Sequence, residues 1–86
     1  MHTVDIQRDV HSFVISNFLF GQAGDLQPDD SLLGKGVIDS TGVLELVTFL
    51  EEHYAIKVED DEVTPDNLDS IKNVATYVAK KLNHTA

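Results

Sequence analysis

Apolar residues recur at steps of three and four in three separate stretches, and that rhythm limits what this chain can fold into. An α-helix turns every 3.6 residues, so such spacing gathers apolar side chains on one face. Between residues 4 and 20 it turns Ile6, Val10, Phe13 and Val14 inward, with Thr3 or Asp5 as the opening cap and Gly21 as the stop. Between residues 40 and 54 it gives a broad face of Val43, Leu44, Leu46, Val47, Phe49, Leu50 and Tyr54, capped by Asp39 or Ser40. Gly42 is a weak helix former inside that stretch, and its small size suits close approach by another surface. Between residues 70 and 82, with Leu68 just before, Ile71, Val74, Val78 and Leu82 turn inward, flanked by Ala75 and Tyr77. Asp69 or Ser70 caps this helix, and Lys80 and Lys81 suit the negative end of its dipole.

Ile56 and Val58 alternate briefly, but a lone strand has no partner, so residues 55–59 read as an extended link. Residues 60–64 make at most one short helical turn, ended by Pro65. The expected fold is all-α: a small four-helix bundle with three main helices, one short helix and a long first loop, in one domain of residues 1–86. That loop, residues 21–39, is rich in Gly, Asp and Pro, and its length calls for a purpose. Leu32 or Leu33, together with Ile38, is expected to pin it across the core, so that its end presents something.

Fifteen acids against six bases give a net charge of −9. The acids crowd the middle of the chain, where Asp39, Glu45, Glu51 and Glu52 are followed by Glu59, Asp60, Asp61, Glu62, Asp66 and Asp69. Such a field repels nucleic acid and anionic membranes and attracts basic protein patches. Cysteine is absent, which removes disulfides, thiolate nucleophiles and thiolate metal sites together. No leader pattern and no membrane-length apolar run is evident, so a soluble cytoplasmic monomer without membrane insertion is expected.

The stretch "GKGVIDSTGVLEL" places Ser40 at the mouth of the second helix. Catalysis by Ser40 needs a histidine base. His53 lies about thirteen residues along the helix, roughly 20 Å away at 1.5 Å per residue. His11 belongs to the first helix, and His2 and His84 lie near the termini. "GVIDSTG" also lacks the glycine that a nucleophile elbow places two residues before the serine. The acid-rich run from Asp60 fails as a calcium loop, because Pro65 holds the glycine position and Ile71 the final glutamate position. No catalytic residue and no specific metal site is expected. Beyond the plain role of an N-cap, a third chemistry is open to Ser40. A serine hydroxyl exposed at a helix start can become a phosphodiester, since free N–H groups and the helix dipole favour an anion there. A separate enzyme would make that bond, so no resident base is required.

"GVIDSTGVLELVTFLEEHYAIKV" resembles the attachment segment of acyl carrier and peptidyl carrier proteins, with Gly36, Asp39-Ser40 and Glu45-Leu46 at the family's positions. "TPDNLDSIKNVATYV" resembles the segment joining that family's third and fourth helices, and the likeness covers about residues 30–82. The resemblance implies that Ser40 carries a covalent 4'-phosphopantetheine arm, transferred from coenzyme A by a phosphopantetheinyl transferase. Its thiol would hold acyl or aminoacyl groups as thioesters. Asp39 would serve that transfer and partner recognition, and Thr41, Glu45, Glu51 and Glu52 would dock partners. Those partners would be an acyl or aminoacyl adenylating ligase, an acyltransferase or a ketosynthase. The short third helix would gate access for an acyl chain, while Phe13, Val47, Leu50 and Val74 read as core first. Thr41 stands where the family usually has leucine, and Gly42 where bulkier residues are common, which points to a specialised pathway rather than primary fatty acid synthesis. An aminoacyl or peptidyl carrier is the alternative cargo reading, and a non-catalytic helical interaction module is the alternative of another class.

Overall fold

The computed structural model describes residues 3–19 and 26–84. Its helices are α1 (Thr3–Phe18), α2 (Ser40–Tyr54), α3 (Pro65–Leu68) and α4 (Ile71–His84), with a 3-10 turn at Asp60–Glu62 before α3. No strand occurs among the described residues, and the chain is a small all-helical bundle. The three- and four-residue rhythm is what builds it. Ile6, Val10 and Val14 of α1 are fully buried, as are Leu46 and Leu50 of α2 and Val74, Ala75 and Val78 of α4. They meet in one core with Leu32, Ile38, Ile56, Val58 and Leu68. Burial of each large aliphatic side chain contributes about 1.5–3 kcal/mol before entropy is counted. Phe13 and Val47 are only half-buried, packed at the margin of that core, whereas Leu50 and Val74 lie within it. Helix α1 ends at Phe18 rather than reaching residue 20, and the expected stop at Gly21 lies outside the described residues.

The long loop is pinned as its apolar residues imply. Leu32 is fully buried and Ile38 is 3% exposed, while Leu33 stands 42% exposed. Between them the backbone closes a turn in which the Val37 N–H donates to the Leu32 carbonyl at 2.9 Å, and Gly36 takes the left-handed φ of 71° that glycine tolerates. The tether comes from far along the chain. Asp69 accepts from the Ser31 hydroxyl at 2.6 Å and from the Leu33 N–H at 2.9 Å, and its carbonyl accepts from the Leu32 N–H at 2.6 Å. The Lys72 N–H also donates to the Pro28 carbonyl at 2.8 Å. Of the two caps expected for α4, Ser70 does the capping, since its hydroxyl accepts from the Asn73 N–H at 3.0 Å. Asp69 holds the loop instead.

The segment after α2 departs from the sequence reading. One short helix was expected over residues 60–64, ended by Pro65. The chain makes a 3-10 turn at Asp60–Glu62 and then a separate helix that Pro65 begins. Proline fits the first position of a helix because the N–H it lacks would have no intrahelical partner there, and its φ is already helical. The link before it is extended as expected, with Ile56 and Val58 buried. Glu62 binds this segment to α4, accepting from the Tyr77 hydroxyl at 3.0 Å and from Lys81 Nζ at 2.9 Å, as well as from the Glu59 N–H at 2.9 Å.

Candidate functional site

Two residues contend to cap α2, and the outcome determines what Ser40 is free to do. Asp39 has the extended backbone of an N-cap, and its Oδ1 accepts from the Gly42 N–H at 2.8 Å. Ser40 is the first residue of the helix and is exposed. Its hydroxyl has no hydrogen-bond partner among the described residues. The ordinary task of a serine in this setting, satisfying a free helical N–H, has passed to the aspartate beside it. Ser40 therefore stands at the positive end of the helix dipole with its oxygen unused.

Gly42 belongs to the packing beneath that site. A Cβ there would lie 2.6 Å from Ile38 Cγ1 and 3.0 Å from Phe18 Cε1. The surface that approaches it closely is thus the chain's own, formed by the loop end and the end of α1. Beside Ser40, Val43 joins Leu33, Val63, Pro65 and Leu68 around an apolar cleft of about 80 Å³.

The carboxylates grouped by sequence separate in three dimensions. Glu45 and Glu52 are exposed on the flank of α2 that faces α1, where they line a groove with Phe13, Asn17, Thr48 and Phe49. Glu51 lies on the opposite flank, half-buried, and accepts from the Val58 N–H at 2.9 Å. It holds the extended link, so Glu51 stands apart from Glu45 and Glu52. Thr41 is exposed. Leu44 was expected on the buried face but is 62% exposed. It lies roughly 200° around the helix from Leu46, at about 100° per residue, so a helical projection places it outward. Leu44 is the apolar residue next to Ser40 and Thr41 on the outer surface, and it was missed as a candidate.

The histidines have other neighbours. His53 Nε2 lies 3.4 Å from Asp9 Oδ2, and its ring stacks on Phe49 at 5.0 Å. Asp9 also accepts from the Tyr54 hydroxyl at 3.1 Å. Burial, and then that hydrogen bond to a carboxylate, raises the Tyr54 phenol well above its usual range. His11 borders a shallow hollow with Val4, Arg8 and Pro28. Among the described residues no three His, Cys, Asp or Glu side chains gather to hold a metal ion. No described helix is long and apolar enough to cross a membrane. Compared with family models and with curated proteins, the chain matches none.

Proposed function

We propose that this chain is a carrier protein whose Ser40 bears 4'-phosphopantetheine and which shuttles acyl groups between enzymes as thioesters. The observation that supports it most is the division of labour at the start of α2: Asp39 caps the helix and leaves the Ser40 hydroxyl exposed and unpartnered. The motif around "IDS" and the all-helical order agree with it. In the transfer, the Ser40 oxygen attacks the phosphorus of coenzyme A that bears the pantetheine. The P–O bond to the nucleotide breaks, adenosine 3',5'-bisphosphate leaves, and the transferase takes the serine proton. The start of α2, where Ser40 stands, would suit the negative charge of that phosphodiester.

The chain's own groups supply position rather than chemistry. Asp39 fixes the helix start, Gly42 lets Ile38 and Phe18 close beneath it, and Thr41 and Leu44 give partners an adjoining surface. The acidic surface suits fast, easily reversed encounters with basic enzymes, as a cytoplasmic monomeric shuttle requires. The transferase, a ligase that loads the arm, and an acyltransferase or ketosynthase that unloads it are the partners this reading calls for. An aminoacyl or peptidyl cargo on the same arm is the alternative reading.

The test is direct. Purified protein is incubated with coenzyme A, magnesium and a promiscuous phosphopantetheinyl transferase and weighed by mass spectrometry. The expected result is the gain of one phosphopantetheinyl group, abolished by Ser40→Ala. No gain, or a gain that survives the substitution, leaves a helical interaction module as the better reading.

A further inference from the structure

Gly42 stands on α2 where no side chain fits without moving its neighbours, and those neighbours are the parts that set Ser40. An added Cβ would lie 2.6 Å from Ile38 Cγ1, 3.0 Å from Phe18 Cε1 and 3.4 Å from Asp39 Oδ1. The last is ordinary contact, and the first two are closer than side chains pack. Ile38 and Asp39 are the two residues ahead of Ser40, and Phe18 ends α1. The loop end, the cap and the first helix thus close on one point beneath the serine.

Nothing there gives way easily. Ile38 is 3% exposed, and the atom opposed is the middle of its side chain rather than a free end. To regain ordinary contact at 3.4 Å it must retreat by about 0.8 Å. Its backbone is held from behind. The Ile38 N–H donates to the Leu32 carbonyl at 3.3 Å and the Val37 N–H to the same carbonyl at 2.9 Å. Leu32 is itself fully buried and donates to the Asp69 carbonyl at 2.6 Å. Phe18 is backed by Phe13, edge-on at 5.8 Å. A close-packed interior passes such a push on rather than absorbing it. Asp39 and Ser40 are exposed, so the displacement falls on them. Helix propensity argues the other way. Glycine is a poor helix former and alanine the best, so alanine would improve a glycine that had no task here.

We propose that Gly42 is the positioning residue of the attachment site: its missing side chain lets Ile38 and Phe18 close under α2, and that closeness fixes the place and direction of the Ser40 hydroxyl. Gly42 takes no part in the chemistry and acts through Ile38, Asp39 and Ser40. Attack on phosphorus tolerates little displacement, since a misplacement of about 1 Å can cost about a hundredfold in rate. This kinetic consequence rests on the carrier reading; the displacement of Ser40 does not.

The experiment compares the full chain with Gly42→Ala in two measurements. The first is the ¹⁵N–¹H spectrum of each unmodified protein. Amide shifts centred on Phe18, Ile38, Asp39 and Ser40 are expected, with the rest of the bundle unchanged. The second is transfer from coenzyme A by a promiscuous phosphopantetheinyl transferase, read by mass at varied concentrations of this chain. Here the chain is the substrate. Partial unfolding would leave less competent substrate and raise the apparent KM alone, whereas a displaced serine lowers kcat. The expected kcat is about tenfold lower or more, with KM within about twofold. Adding Ile38→Ala to Gly42→Ala removes the opposed atom and should restore most of the lost kcat. Adding Phe18→Leu instead clears the shallower contact and should restore part of it. An unchanged kcat, a loss confined to KM, no recovery in either double variant, or a Gly42→Ala protein that is more stable with the Ser40 amide unmoved would overturn the proposal. If the parent chain accepts no arm, the carrier reading fails, and the shifts at Asp39 and Ser40 alone decide whether Gly42 positions the helix start.

Discussion

Glu52 and Asp69 carry the same charge and are put to opposite uses. Glu52 stands in solvent on α2 with no ion-pair partner among the described residues, whereas Asp69 gathers the loop ahead of the site through both carboxylate oxygens and its carbonyl. Glu62, Glu51 and Asp39 side with Asp69, since each accepts a backbone N–H. The charge of −9 is therefore two populations. One part replaces hydrogen bonds that irregular backbone would otherwise lack, and the other faces outward, where it can meet partners.

The contrast is broken most severely at Asp69. Asp69→Ala removes two acceptors from a half-buried junction and leaves the Ser31 hydroxyl and the Leu33 N–H without their partner. Within that junction these bonds are exposed and water can replace the lost acceptor in part, so a loss of about 1.5–2 kcal/mol is expected in urea unfolding. A loss under about 1 kcal/mol would show that the tether is dispensable. Glu62 gives a smaller, pH-dependent effect. The Glu59 N–H and then Lys81 hold its carboxyl below the usual range for a glutamate, so the folded state binds that proton less readily than the unfolded chain. Its contribution is present above the unfolded value, near about 4.3, and fades as pH falls through the lower folded value. Glu62→Gln should flatten the acid limb of a stability-versus-pH curve, and an unchanged limb would contradict the assignment. The smallest effect belongs to Glu52, where Glu52→Gln should move stability by no more than about 0.5 kcal/mol. A larger loss would place Glu52 among the structural acids.

The three long helices were legible because period and burial coincide. Leu46 and Leu50, or Val10 and Val14, have one way to face inward once a helix forms. Pro65 was misread because proline both ends one helix and starts the next, and which it does depends on backbone placed by Val63 and Leu68 rather than on itself. Asp69 and Glu51 were beyond local pattern for another reason. Their acceptors serve N–H and O–H groups seven to thirty-eight residues away, and no window of sequence shows that. At the site, the exposed Ser40 was legible from the glycines and the helix start, but not the assignment of the cap to Asp39. Gly42 was read as allowing close approach by another surface, and packing against Ile38 and Phe18 shows that this surface is the chain's own.

The bonds from Asp69 to Ser31 and Leu33 span 38 and 36 residues. Contacts so distant in sequence require a long loop to close, at a cost in entropy that precedes the bonds it allows. The turn that leads to Ser40 is thus set in place by the α3–α4 junction, which is synthesised after it. A chain released before that junction, or one unable to close it, would carry the serine without its setting. If Ser40 is modified as proposed above, an enzyme that recognises it by shape would pass over unfinished or unfolded copies, and the modification would double as a check on folding.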